Sequence, residues 1–218
     1  MSVFEKLVWI VALILFITTA AILLSLGSFA PTLQTLVAQN LESSGVTHEI
    51  TAVLLNFRSL DTLLEVGVIL LSLVAFYTVT PFYKHQPQRF ESVVANSFAS
   101  LLFPLIAISA VYILWSGSFQ SGGAFQGAAL LGGGLIILKL TQPQFFTKFN
   151  LYNLKALYSV GFFIFLLIGS FSMLDGKFLQ YYEGFEYTLI LTIEAILTFS
   201  LGALLAAYFI LCTQRLKR

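Results

Sequence analysis

The sequence predicts an all-α, polytopic membrane protein with about six transmembrane helices and both termini in the cytoplasm. Hydrophobic residues make up 58% of the 218 residues and charged residues only 10%, and the mean hydropathy is +0.92. A soluble domain carries about a quarter charged residues because water must solvate its surface. The apolar residues also fall in runs near the ~20 residues that cross a bilayer as a helix. A lone strand would leave its backbone unpaired in lipid, so each run is predicted to be helical.

Six apolar runs are long enough, or nearly long enough, to be spans. We interpret the first run as a retained span, although a secretory signal peptide is the competing interpretation. The fourth run is short and glycine-rich, and it can span only if flanking residues join it. The predicted spans are Leu7–Leu26, Thr62–Phe82, Ala95–Trp115, Phe125–Leu138, Ala156–Leu174 and Thr188–Cys212.

The distribution of positive charge predicts the orientation. With six spans, the N-terminus, the 83–94 loop, the 139–155 loop and the C-terminal tail share one side, which holds nine of the 11 Lys and Arg residues. Only Arg58 and Lys177 lie on the other side. Cytoplasmic loops carry the excess of Lys and Arg. Both termini are therefore predicted to be cytoplasmic, in the inner (plasma) membrane of the cell.

Two segments outside the spans are predicted to be more than simple loops. Residues 31–60 contain the apolar stretch Ile50–Leu55, which we expect to form an interfacial or partner-covered helix. Residues 175–187 mix acids with aromatics, as is typical of a belt at the membrane surface. The polar loop at 84–94 is the predicted boundary between two units, residues 1–83 and 84–218.

Acidic residues within the predicted spans are candidates for an ion path. At helical offsets of three and four, Arg58, Asp61 and Glu65 share one face. Glu65 lies about one turn inside the second span, where an ionised group is costly unless it is paired or wet. The alternative is an Arg–Asp clasp that caps the helix at the surface. Glu194, about two turns into the sixth span, is either a functional acid or a shallower one that reaches the membrane surface.

A glycine-rich sequence opens the fourth span. Gly123 and Gly127 are four residues apart, and small residues at this spacing let two membrane helices pack closely. A broken helix that lines a polar path is the alternative.

No catalytic, cofactor or metal site is predicted. His48 and His85 are isolated in loops, and the one cysteine, Cys212, cannot form a cluster. There is no phosphate loop, nucleophile elbow or haem-type histidine pair, so the chain is not expected to be catalytic by itself. A net charge of +1 without a long basic run gives no indication of nucleic-acid binding.

Two stretches resemble a known family. Thr47–Val68, THEITAVLLNFRSLDTLLEVGV, resembles a segment in the C-terminal part of the A subunit of Mrp-type multisubunit cation/proton antiporters and in the E subunit of energy-converting hydrogenases. Ser97–Leu131, with SGSFQSGGAFQGAALL, resembles the glycine-rich region of the Mrp B subunit. The matched positions are Arg58, Asp61, Thr62 and Glu65 in the first motif, and Gly122, Gly123, Phe125 and Gly127 in the second.

The chain departs from both motifs. Asn56 stands where the family usually has Asp, and Ser118 and Ser121 replace the usual His and Pro. Ala124 and Ala128 replace glycines. If the missing Asp and His help to move ions, this chain has lost or altered that role.

The resemblance implies an accessory membrane subunit of a multisubunit Na⁺/H⁺, or monovalent cation/proton, antiporter, with other membrane subunits and lipid as partners. The alternative is a membrane-arm subunit of an energy-converting oxidoreductase, such as a hydrogenase or a complex-I-like enzyme, without its own redox centre. A third interpretation is a lateral spacer that only seals an interface.

Overall fold

The structure is a computed structural model that describes residues 3–25, 32–79, 92–142, 151–175 and 178–215. Every regular element in these ranges is helical, which confirms the all-α fold class. The α-helices are α1 (Val3–Ser25), α2 (Thr32–Asn40), α3 (Glu49–Ala52), α4 (Ser59–Val79), α5 (Val93–Ser116), α6 (Ala124–Thr141), α7 (Leu151–Ser172) and α8 (Glu186–Arg215). Three short non-α helices are the 3₁₀ turns Glu42–Ser44 and Met173–Asp175 and the π-helix Val53–Phe57.

Five helices are long and apolar enough to cross a membrane, and they correspond to the second to sixth predicted spans. The fourth span is longer than predicted, because α6 extends to Thr141 and gains the 18 residues it needs. The first predicted span lies on α1. Its apolar stretch Ala12–Ile22 is shorter than the 18 residues of the shortest spanning helix, and Leu26 lies outside the described residues. The five spanning stretches are Ser59–Thr78, Val93–Ser116, Ala124–Thr141, Leu154–Ser172 and Glu186–Phe209.

The chain divides into two compact units, Met1–Gln39 and Asn40–Arg218. The first contains α1 and nearly all of α2. The second contains the five spanning helices and the short helices that precede α4. The boundary predicted at residues 83 and 84 lies outside the described residues, as does His85.

Helix α8 is the centre of the second unit. It packs against α4, α5, α6 and α7, and 61% of its apolar window is buried, against 17 to 39% for the other spans. Leu197, Leu201 and Leu204 are almost fully buried on it. Without a hydrophobic driving force in lipid, close van der Waals packing and polar contacts hold such a helix in place.

Small residues allow α6 to approach its neighbours closely. A Cβ at Gly132 would lie 2.9 Å from the Gly202 carbonyl oxygen of α8, and one at Gly134 would lie 2.8 Å from Ile106 of α5. Gly127 lies between both neighbours, because its Cβ would be 3.0 Å from the Ala110 carbonyl oxygen and 3.2 Å from Thr198. The glycines therefore lie at helix crossings on two sides of α6.

The segment before α4 packs within the second unit. The apolar stretch Ile50–Leu55 lies partly on α3 and partly on the π-helix. Ala52 and Leu55 are buried, while Ile50 and Leu54 are exposed. The chain itself thus covers one face of a stretch that was predicted to lie at the interface or under a partner.

The acidic and aromatic segment after α7 is only partly a surface belt. Tyr182 and Phe185 are exposed, but Tyr181 is buried. Burial raises the pKa of Tyr181, so its hydroxyl stays protonated. Leu179, with φ of 62°, packs its side chain against Gly169, and its N–H donates to the Ser172 hydroxyl at 2.7 Å.

We predict that Gly127→Leu destabilises the protein in detergent by about 1–3 kcal/mol, because the new side chain forces α5 and α8 away from α6. Gly133→Leu is the matched control, since a Cβ at Gly133 meets no atom within 4 Å. The measurement is the temperature at which each purified variant loses its monodisperse size-exclusion peak. Equal temperatures for the two variants would contradict the close crossing at Gly127.

Candidate functional site: a buried carboxylate at a helix N-terminus

The turn between α5 and α6 is built on contacts from backbone to backbone. The Gly123 N–H donates to the Ile113 carbonyl oxygen in the last turn of α5 at 2.9 Å. A Cβ at Gly122 would collide with that same oxygen, and one at Gly117 would lie 2.6 Å from the Gly123 Cα. The glycines therefore fold this turn tightly enough to fix where α6 begins.

Gly123 also has a backbone conformation that suits only glycine. Its φ of 113° and ψ of −174° lie in a region that residues with a Cβ essentially do not adopt. The next residue, Ala124, is the first of α6, and its N–H has no partner within the helix.

Glu194 of α8 fills the space in front of this helix N-terminus. Its side chain is 3% exposed, and Oε1 accepts from the Ala124 N–H at 3.4 Å. A Cβ at Gly123 would lie 2.9 Å from Oε1, so only glycine allows this approach. The positive end of the α6 dipole favours a carboxylate here. Oε2 is buried without a hydrogen-bond partner among the described residues.

The segment 47–51 closes the outer side of the site by binding the α5–α6 turn. The N–H groups of Thr47 and His48 both donate to the Ser118 carbonyl oxygen, at 3.0 and 3.1 Å. The Thr51 hydroxyl donates to the Gly117 carbonyl oxygen at 2.5 Å. His48 Nδ1 lies 3.2 Å from the Thr51 hydroxyl oxygen. The bonds to the turn join residues 66 to 71 positions apart in the chain.

A π-helix and a kink lead from this segment into α4. Arg58 breaks the helix with φ of −130° and ψ of 34°. The Thr62 hydroxyl in α4 donates back across the kink to the Leu54 carbonyl oxygen at 2.6 Å. Single turns of π-helix occur frequently at functional sites.

A cavity of about 280 Å³ lies between these elements. It reaches the surface of the chain, because its walls include the exposed residues Ile50, Ser121 and Gln126. Its polar lining includes His48, Thr51, Thr62 and Glu194. The cavity therefore connects a buried carboxylate with the exterior.

The structure divides the predicted ion-path residues into two groups. Glu194 and Thr62 line the cavity, as do Gly122, Gly123 and Phe125 of the predicted packing set. The Arg58 guanidinium pairs with the Asp61 carboxylate, and their side chains are 64% and 49% exposed. Glu65 is exposed on α4 as well. These three do not line the cavity.

Two of the family departures have visible consequences. The Asn56 side-chain amide donates to the Ser44 carbonyl oxygen at 3.0 Å, a bond that an ionised Asp cannot make. Ser118 is 0% exposed, and its hydroxyl has no hydrogen-bond partner in the described part of the chain. The Ser118 main chain, rather than its side chain, holds the 47–51 segment.

Sequence reasoning misses His48 and Thr51 as site residues. It places His48 in a loop and Thr51 in the expected interfacial helix, and only their spacing of three residues indicates that they share a helical turn. Over the described ranges, no three His, Cys, Asp or Glu side chains come together as metal ligands would.

Fold and site together define a polytopic helical membrane protein with a carboxylate buried at a helix N-terminus. Residues 94–213 match the protein family described as the domain related to the MnhB subunit of Na⁺/H⁺ antiporter. The match covers more than half of the chain, which therefore belongs to this family. The predicted resemblance to the B subunit of Mrp-type antiporters is confirmed. No functionally curated protein matches the sequence at a significant level.

Two solved structures resemble this fold. A chain in the structure of the Mrp complex from Dietzia sp. DQ12-45-1b has a TM-score of 0.68 and 24% identity, covering 97% of this chain and 26% of that chain. A chain in the structure of the membrane-bound sulfane sulfur reductase, an archaeal respiratory membrane complex, has a TM-score of 0.70 and 19% identity. That match covers 95% of this chain and 98% of the other. Our chain thus spans about a quarter of the Mrp-complex chain, and at these identities the likeness concerns the fold alone.

We predict that Gly123→Ala destabilises the protein for two reasons, backbone strain of about 1–3 kcal/mol and a collision with Glu194 Oε1. Gly184→Ala isolates the first reason, because Gly184 has φ of 84° and no atom within 4 Å of a Cβ. In a Glu194→Ala background, the Gly123→Ala loss should shrink by about 0.5–3 kcal/mol. Thermal unfolding of the four variants in one detergent measures this coupling, and strictly additive losses would contradict the contact.

Proposed function

We propose that this chain is an accessory membrane subunit of a monovalent cation/proton antiporter or antiporter-like complex, in which Glu194 is a proton- or cation-exchanging carboxylate. The family description names a Na⁺/H⁺ antiporter, which supports Na⁺ and H⁺ as the exchanged ions. The observation that carries the proposal is the buried Glu194, whose Oε2 has no hydrogen-bond partner within the described residues and which is one of the residues that line a cavity that reaches the surface.

A carboxylate in this position needs either a proton or a cation. Ionised acids within membrane spans are expensive, so such residues mark ion and proton paths. The Ala124 N–H donates to Oε1, and the α6 dipole favours the negative charge of the carboxylate as a whole. Oε2 is left to a proton, a water molecule or a cation that arrives through the cavity. Alternation between these occupants is the chemistry of exchange.

The orientation follows from the positive-inside rule, with both termini in the cytoplasm of a cell bounded by the plasma membrane. The cavity then opens to the outer side, because α4, α6 and α8 begin there and α5 ends there. Glu194 lies eight residues into α8, about 12 Å along the helix axis. The site is therefore an external half-path that other subunits continue.

The exposed charges at the start of α4 and at Arg58 just before it support assembly with other membrane subunits. Glu65 is exposed on a helix that crosses the membrane, and it has no ion pair with another described residue. Contact with lipid at this position would be costly. We therefore propose that a neighbouring subunit covers Arg58, Asp61 and Glu65, and that any ion path through Glu65 runs along that interface.

The second candidate is a membrane-arm subunit of a respiratory oxidoreductase. The observation in its favour is size, because the chain in the archaeal sulfane sulfur reductase complex matches along 98% of its length. The match to the chain in the Mrp complex covers only 26% of that chain, which is therefore about four times as long as ours. In a redox complex, the same carboxylate would couple proton movement to a reaction in other subunits.

We predict that Glu194→Gln reduces cation-dependent proton transport at least about tenfold in vesicles that contain the purified complex, by analogy with the loss of an acid–base group. The Gln side chain has nearly the same shape and its oxygen still accepts from Ala124, so assembly should be retained. Glu65→Gln should reduce transport if the covered α4 face is part of the path. Glu42→Gln, an exposed acid outside the spans, is the control. Full transport by Glu194→Gln would refute the proposal.

The composition of the complex discriminates the two candidates. We predict that the complex purified in mild detergent contains further membrane subunits that cover the exposed α4 face. Mass spectrometry of the intact complex checks this. Membrane subunits alone support the antiporter, whereas soluble subunits with iron–sulfur clusters support the oxidoreductase. A chain that purifies alone in a mild detergent contradicts both.

A further inference from the structure

We propose that His48 is the proton-exchanging residue at the mouth of the cavity, which passes protons between the outer solution and Glu194. This inference rests on the proposed function, since it needs Glu194 to accept and release protons. It adds a residue that the family motifs quoted above do not mark as functional. The observation behind it is the hydrogen-bond chain from His48 through Thr51 to Gly117.

These two hydrogen bonds determine which ring nitrogen of His48 carries the hydrogen atom in the neutral state. The Gly117 carbonyl can only accept, so at 2.5 Å the single hydroxyl proton of Thr51 points to it. The Thr51 oxygen then faces His48 Nδ1, 3.2 Å away, with a lone pair. Nδ1 must therefore be the donor, and Nε2 is left with a lone pair that can take a proton.

The backbone holds the ring in this position. His48 is the residue before α3, with φ of −89° and ψ of 117°, and its N–H donates to the Ser118 carbonyl oxygen. The side chain is half-buried and lines the same cavity as Glu194. The ring cannot leave the cavity wall without losing its bond to Thr51. It is thus a fixed group rather than a freely rotating surface histidine.

His48 has suitable chemistry for the step. A neutral imidazole carries a proton on one ring nitrogen and can accept another on the second, as a proton shuttle requires. A proton from the solution binds Nε2 and gives an imidazolium. The imidazolium then gives a proton to the Glu194 carboxylate, directly or through cavity water, and returns to the neutral ring. One proton has then moved inward. His48 is neutral again, and the Glu194 carboxylate has become a neutral carboxylic acid.

Few other titratable groups face His48. The α5–α6 turn, the π-helix and the first residues of α6 contain none, and α8 contributes Glu194. Glu49 is the next residue along the chain and is exposed. Glu186 of α8 lies against Gly45, three residues before His48, and is not among the residues that line the cavity. The pH response of the mouth should therefore depend on His48 and Glu194.

We predict that His48→Asn slows proton-coupled transport by the intact complex in vesicles at least about tenfold. The Asn amide can replace the Nδ1–H donor to Thr51, so the variant keeps the hydrogen bond but loses the titrating nitrogen. The remaining transport should respond less steeply to external pH than transport by the wild type, because the ring nitrogen that binds the proton is gone. His48→Ala with imidazole in the medium should recover transport, and Glu49→Gln should behave like the wild type.

The outcomes separate this inference from the proposed function. Wild-type rate and pH profile in His48→Asn, with transport lost in Glu194→Gln, would overturn the role of His48 and leave the role of Glu194. Wild-type transport in both variants would overturn the proposed function as well. A His48→Ala variant that is assembled, slow and not recovered by imidazole would indicate a purely structural histidine, which also overturns the inference.

Discussion

The close backbone contact of α6 with α5 and α8 is the constraint on which the second unit depends. Gly127 and Gly132 bring carbonyl oxygens of α5 and α8 to the surface of α6, and the Gly117–Gly123 turn fixes where α6 begins. Close packing of this kind holds membrane helices together where hydrophobic burial cannot. The close contact between α6 and α8 also determines the site. Glu194 of α8 reaches the Ala124 N–H of α6 only because the two helices are this close and because Gly123 has no Cβ in the way. Stability and chemistry here rest on the same glycines.

The segment before α4 depends on this arrangement in turn. Carbonyl oxygens at the end of α5 and in the turn accept bonds from Thr47, His48 and Thr51, and the π-helix and kink then carry the chain into α4. Each of these polar groups would be costly if left unpaired in an apolar environment. The bond from Thr62 to Leu54 satisfies a carbonyl that the kink frees. The segment that forms this wall of the cavity is thus held in place by hydrogen bonds to backbone carbonyl oxygens.

Much of the fold could be predicted from the sequence, and the site only in part. A membrane span needs about 20 consecutive apolar residues, and such runs are visible in the sequence. The five spans and their approximate ends could therefore be predicted directly. Glu194 is identifiable because an acid in an apolar run is conspicuous. Its partner is not, because Ala124 is 70 residues away and contributes only a backbone N–H. Nothing in the local sequence around His48 and Thr51 indicates their contact with the α5–α6 turn. The exposure of Glu65 depends on which face of α4 meets α7 and α8, and composition does not encode that choice.

The central position of α8 has a consequence for how the protein is made. Helices α4 to α7 precede α8 in the chain, so they leave the ribosome and enter the bilayer before the helix they surround. Chains generally acquire structure from the N-terminus during synthesis. Until α8 arrives, the N-terminus of α6 lacks its carboxylate, and the cavity lacks the wall that contains Glu194 and Leu197. The site can therefore be completed only in the last step of insertion, when α8 covers the glycine face of α6 and brings Glu194 to the Ala124 N–H.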